Sequence, residues 1–105
     1  MSIESSLMEK YAGSTVDKAG ETLFREPVAR ELVADCARQG VTILGMDFWV
    51  DGPNGIQEVP GGSADYSSLA GRPDASALST AAARALLEKG LPDGATYVSF
   101  VLSEG

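Results

Sequence analysis

The amino-acid sequence predicts an α+β domain of two layers, with helices packed on one face of a small, mainly antiparallel sheet. Three observations predict it. A helical segment framed by Pro27 and Gly40 runs directly into an alternating apolar segment at 41–50. The turn-rich run Asp51-Gly52-Pro53-Asn54-Gly55 folds that strand back on itself, and a second helix-then-strand succession occupies 74–102. With 105 residues, 44% hydrophobic and 22% charged, the chain has the composition of one globular domain with one core. We expect a single domain over 1–105, made of an N-terminal helical segment at 1–26 and a core α+β unit at 27–105.

Each element follows from its residues. Ile3, Leu7 and Tyr11 recur at every fourth position and share a helical face, with Gly13 as the stop. Ser14 and Asp17 resemble a capping box, so a second helix is expected with Val16, Ala19, Leu23 and Phe24 as its stripe. Gly20 weakens it by about 1 kcal/mol relative to alanine. Pro27 suits a first helical position and Gly40 the left-handed residue past the last turn; between them Val28, Leu32, Val33 and Cys36 line one face. Glu26 and Arg30 are spaced to pair on the exposed side.

The strand at 41–50 alternates between two unlike faces. Leu44, Met46, Phe48 and Val50 are expected in the core, and Ile43, Gly45, Asp47 and Trp49 on a mixed face. The hairpin returns through 56–59 into a long polar loop at 61–73, a length often associated with function. Asp74 is placed to cap a helix over 75–89 whose face is Leu78, Ala82, Ala85 and Leu86, ended by Gly90 and Pro92. The last strand, 96–102, points Val98, Phe100 and Leu102 inward and Tyr97, Ser99 and Val101 outward. Pairing the hairpin with this strand, under helices on one side, exposes Asp47, Trp49, Tyr97 and Ser99 on the other.

Charge and composition restrict the function classes. Eight Lys and Arg against fifteen Asp and Glu give a net charge of −7, which repels phosphate backbones and anionic lipid and favours a basic protein partner. Solubility alone also accounts for such a charge. The chain has no histidine, which removes Ser-His and Cys-His nucleophile pairs, the usual neutral-pH base and the commonest zinc ligand. One cysteine, Cys36, allows neither an internal disulfide nor a cysteine-based zinc site, and its place beside Leu32 and Val33 predicts a buried thiol. The glycines at 52, 55, 61 and 62 match no phosphate loop or dinucleotide fingerprint, and Pro53 stands where a calcium loop needs an oxygen ligand. No cofactor or metal is therefore expected. The start Met1-Ser2-Ile3-Glu4 lacks the basic and apolar regions of a secretion signal, and no run approaches the roughly 20 apolar residues of a membrane span, so the expected location is the cytoplasm.

The remaining candidates are carboxylates and aromatics. Asp47, Asp51, Glu58 and Asp65 can be read as an acid and base pair near the hairpin or as scattered solvated charges. Trp49, sharing its face with Gly45 and Asp47, is expected to be partly exposed as a binding anchor; were helices to cover both faces it would be core. Asp47 can receive the charge-assisted hydrogen bonds of a partner Arg or Lys. Asp65 and Tyr66 either extend that surface or serve the loop itself, Tyr66 tucked onto the sheet and Asp65 in a local turn bond. The expected partner-binding set is Asp47, Trp49, Asp51, Asp65, Tyr66 and Tyr97.

A helix ending in glycine, the strand Val41-Thr42-Ile43-Leu44-Gly45-Met46-Asp47-Phe48-Trp49, an acidic turn, and Asp65-Tyr66-Ser67 before a late helix and strand occur in succession. Over 27–102 this resembles the small immunity proteins of bacterial polymorphic toxin systems, in particular immunity protein 40. Gly45, Asp47, Asp65 and Tyr66 are the positions that match. The resemblance implies a bacterial, non-enzymatic protein that binds the catalytic domain of a toxin encoded beside it and blocks it. Two other readings stand beside it: a homodimeric structural or adaptor module, paired through the mixed face or the edge of the last strand, and a small enzyme using carboxylates and Tyr66.

Overall fold

The computed structural model of the chain describes residues 3–18, 20–60, 62–91 and 94–103. Met1, Ser2, Ala19, Gly61 and Pro92, used above as terminus, stripe, loop and helix stop, lie outside the described residues, as does the side chain of Ile3. Helix α1 spans Ile3–Lys10, and strands β1 (Thr15–Lys18) and β2 (Glu21–Arg25) follow. Helix α2 (Glu26–Gln39), strands β3 (Thr42–Gly52), β4 (Gly55–Glu58) and β5 (Ala64–Asp65), helix α3 (Ala75–Lys89) and strand β6 (Tyr97–Ser103) complete the order, with short 3-10 helices at Ala12–Ser14 and Ser67–Leu69. The strands form one antiparallel sheet, β1-β2-β6-β3-β4, with β5 also paired to β3. The helices pack against the sheet, so the expected α+β class is the observed one. No described helix is long and apolar enough to cross a membrane.

Helix α2 begins and ends as its sequence requires. Pro27 occupies its first turn, and Gly40 closes it at φ +72° with its N–H donated to the Cys36 carbonyl, a conformation that costs glycine little. Glu26 pairs with Arg30 one turn on. Leu32, Val33 and Cys36 are buried with Ala29, facing Val98, Phe100, Met46 and Phe48 of the sheet. Tyr11 and Phe24 meet edge to face at 6.1 Å between centroids, and Phe24 and Phe100 do the same at 5.5 Å, joining α1 to the sheet through aromatic contacts.

The helix expected at 14–24 is a β-hairpin instead. Lys18 stands opposite Glu21, and Gly20 adopts φ +80°, favourable for a tight hairpin and unfavourable within a helix. Alternation then sends Phe24 into the main core and Leu23 to the opposite face, both fully buried. A helix would have set these neighbours only about 100° apart around its axis. A strand gives each its own core.

Strand β3 departs from strict alternation. Ile43 is opposite Leu102 while Gly45 is opposite Val101, so Leu44 is an extra residue in a bulge. The bulge moves Ile43 into the core with Met46 and Phe48 and leaves Leu44 half-buried, reversing the faces expected for Ile43 and Leu44. A related correction applies to α3, whose buried side is Ala75, Ser79, Thr80, Ala83 and Leu87, while Leu78 is exposed. The cause is polar. Ser79 Oγ accepts the Ile43 N–H at 2.9 Å and Ser76 Oγ donates to the Val41 carbonyl at 2.9 Å, so the hydroxyl side of α3 faces β3. Asp74 does not cap α3 with its side chain, because its two oxygens accept Arg72 Nε at 3.0 Å and a terminal guanidinium nitrogen at 3.2 Å.

Because Ser79 is buried with its hydroxyl committed to β3, Ser79→Ala leaves the Ile43 N–H without its acceptor. The expected loss is about 1–3 kcal/mol of unfolding free energy, measured by urea titration with an unchanged m-value.

Candidate functional site

The sheet face opposite the helices is divided into a dry half and a wet half. Alternation brings Leu23 of β2, Trp49 of β3 and Tyr97 of β6 onto this face, where they pack together with Ile56 of β4 at their side. Trp49 is only 7% exposed and Tyr97 only 4%. The indole N–H is donated to Ser99 Oγ at 3.0 Å, and the Arg25 guanidinium lies 5.0 Å from the Tyr97 ring centre and donates to its hydroxyl at 3.1 Å. The expected exposure of Trp49, Tyr97 and Ser99 is therefore corrected. No helix of the described residues covers them; the sheet's own residues, Leu23 above all, supply their second core.

The wet half lies farther along β3, at the bulge. Leu44, Gly45, Met46 and Asp47 of β3, Ser63, Ala64 and Asp65 beside them, Ser67, and Val101 of β6 line a groove of about 380 Å³. Strand β5 reaches its floor because Gly45 has no side chain: a Cβ there would stand 3.1 Å from the Ala64 carbonyl oxygen. Asp47 is half-exposed and accepts the Ser63 hydroxyl. Exposed Asp65 accepts the Ser67 N–H at 2.9 Å and the Ser67 hydroxyl at 2.6 Å. These bonds, the hydroxyl first, hold its carboxyl below the usual aspartate range, so it stays charged. Across β3 from Asp65, beside Gly45, Val101 is 49% exposed and adds an apolar wall to the acidic groove.

Of the six expected binding residues, the groove brings Asp47 and Asp65 together. Asp51 is exposed farther along β3, its N–H donated to Thr96 Oγ1 at 3.1 Å. Tyr66 is half-buried against the main core and its N–H is donated to the Leu44 carbonyl at 2.8 Å, so it anchors the loop, as the alternative assigned to it required. Burial pushes its hydroxyl pKa up. Trp49 and Tyr97 form the wall of packed residues beyond the groove. Val101, Leu44, Ser63 and Ser67 were not singled out by sequence reasoning, since only the bulge and β5 bring them to one place.

A second polar cluster also escaped it. Asp35 of α2 is 2% exposed, and its carboxylate receives Lys10 Nζ at 2.7 Å, the Tyr11 hydroxyl and the Arg38 guanidinium. A carboxylate within the helix face that carries Leu32 and Cys36 was the available signal. Here it joins the end of α1 to α2. Chemically it is a satisfied structural ion network. The chain matches no protein-family model, no curated protein and no solved structure.

Two measurements follow from these clusters. Trp49→Ala removes the centre of the second core, and the expected cost is about 3–5 kcal/mol of stability by chemical denaturation. At alkaline pH the sign is set by Tyr11, whose hydroxyl pKa is raised by burial and then by the Glu31 charge, and by Tyr66, raised by burial. The unfolded chain loses these protons first, near pH 10, so their contribution is complete below about pH 10 and is lost as pH rises through the folded values. Unfolding titrations should show stability falling above about pH 10, with a shallower fall in Tyr11→Phe.

Proposed function

We propose that this chain is a protein-binding module without catalytic activity, an immunity protein that binds and inhibits a cognate bacterial toxin through the Asp47/Asp65 groove. The observation that carries the proposal is the groove itself, in which two carboxylates adjoin Gly45 and exposed Val101 lies across β3 from Asp65, on the sheet face opposite the packed α-helices. Among the described residues neither Asp47 nor Asp65 is in an ion pair. A partner lysine or arginine entering there gains charge-assisted hydrogen bonds, and Val101 and Leu44 supply apolar contact beneath it. Over longer range the net charge of −7 steers a basic surface toward this one.

The same chemistry argues against a general-acid role for Asp65. A general acid at neutral pH needs a raised carboxyl pKa, and Ser67 lowers this one. The succession that resembles immunity protein 40 includes Gly45, Asp47 and Asp65, three of the residues that build the groove. That coincidence supports the toxin-inhibitor reading over a generic binding module.

The test starts with the tagged protein in native lysate, its stoichiometric partner identified by mass spectrometry, and proceeds to calorimetry with the purified partner. Asp47→Lys combined with Asp65→Lys should weaken binding by about 2 kcal/mol or more, and added salt should slow association. A folded double variant that binds and inhibits like the parent would reject this groove as the interface. A partner lacking toxin activity would reject the immunity assignment while leaving the binding surface intact.

A further inference from the structure

The two edges of β6 are treated differently. β3 occupies one along its length, but on the other β2 pairs only at Arg25–Tyr97 and Phe24–Val98, and no strand of the described residues continues past Val98. Phe48 directs its carbonyl to the far side of β3, where it accepts the Val59 N–H at 2.8 Å, and Val98 stands directly opposite Phe48. Opposed residues of an antiparallel pair direct their backbone groups either both toward each other or both away. The N–H and C=O of Val98 thus point away from β3, and at the strand period of two so do those of Phe100 and Leu102. β2 meets Val98. Phe100 and Leu102 present theirs at an edge.

Exposed edges are ordinarily shielded by charge, proline, brevity or a covering element. Residues 99–102, Ser-Phe-Val-Leu, contain neither charge nor proline, and the bulge lies on β3 instead. The outer edge strand β1, by contrast, is four residues long and ends in Asp17-Lys18. The run Ser99-Phe100-Val101-Leu102-Ser103 also has nearly the same pattern in both directions: a serine, a large apolar residue, a valine, a large apolar residue and a serine.

We propose that this edge pairs antiparallel with the same edge of a second copy of the chain, about a two-fold axis through Val101. In that register Val101 faces its own counterpart in a non-hydrogen-bonded pair, and Phe100 faces Leu102 of the second copy. The outward N–H and C=O groups of Phe100 and Leu102 then satisfy one another across the axis. The half-exposed Val101 side chains cover each other on the groove face, and the two sheets become one. So short a contact is in the size class of transient complexes, and the dimer forms in proportion to concentration. The proposal does not depend on the toxin-inhibitor reading, because it concerns the purified chain alone.

Analytical ultracentrifugation of the purified protein from about 1 μM to about 1 mM should show the mass rising from 10.9 kDa toward twice that value. Val101→Lys places like charges across the axis and should weaken association at least about ten-fold while the circular dichroism spectrum is unchanged. For Val101→Cys, the two introduced thiols lie opposite each other at a spacing compatible with a disulfide. Oxidised glutathione should couple them into a covalent dimer as it is itself reduced. Val16→Cys, at an exposed position on β1, should not couple, and the native Cys36 is buried. A protein that stays at 10.9 kDa throughout would overturn the proposal. So would association unaffected by Val101→Lys, or coupling of Val16→Cys as fast as that of Val101→Cys.

Discussion

The backbone of β3 is the constraint on which the rest of the molecule depends. Its eleven residues run through the middle of the fold, and buried amides and carbonyls that find no partner cost far more than they do in water. β6 meets one side. On the other, three elements act in succession: Ser76 and Ser79 of α3 at Val41 and Ile43, the β5 segment with Tyr66 at 44–46, and Val59 with β4 from Phe48 onward. That requirement turns the hydroxyl side of α3 inward and draws the loop after β4 back against the strand. The groove at Gly45 is a consequence of the same requirement, because Ser63 and Asp65 reach Asp47 and Gly45 only where β5 completes the β3 edge.

The second organising feature is the departure of β2 from β6. Two residue pairs join them, after which Leu23 is committed to Trp49 and Tyr97. That packing dries one half of the face opposite the helices and leaves the bulge end wet. It also ends the pairing along β6 at Val98, so a buried tryptophan and an open edge have one cause. The apolar area gained at Trp49 favours the curl, and a β6 edge with no paired strand of the described residues beyond Val98 is its cost.

Much of this was legible in the sequence, for identifiable reasons. Pro27 and Gly40 bound α2 through backbone effects that act locally, and the turn residues 51–55 and the alternation in β6 act within a few positions as well. What was not legible depends on distant partners. Ser14 and Asp17 suggested a helix because their spacing is ambiguous on its own, and only Gly20 at positive φ, with Leu23 and Phe24 entering separate cores, decides for strands. The bulge at Leu44 has no local sequence mark, yet it exchanges the faces of Ile43 and Leu44. Asp47 and Asp65 were identified as residue types suited to binding, and their proximity comes from β5 pairing across Gly45. Trp49 was misplaced because alternation specifies a face and not whether the sheet curls over it.

The placement of charge completes the physical picture. From Gln39 to Gly71 the chain has no lysine or arginine, while it carries Asp47, Asp51, Glu58 and Asp65. The ion pairs among the described residues lie elsewhere, within the helices or at their approaches: Lys10 and Arg38 with Asp35, Glu26 with Arg30, and Arg72 with Asp74. Solubility requires net charge but not its segregation, and mixed signs would serve it as well. A one-signed stretch from β3 to β5 instead lowers the potential around a groove that has apolar surface to offer, which favours encounter with a basic partner over one of its own kind. Two such stretches repel each other. Face-to-face self-association is therefore opposed by the same carboxylates that would attract a basic partner, and the uncharged edge of β6 is left as the surface through which two copies can meet without bringing those carboxylates into contact.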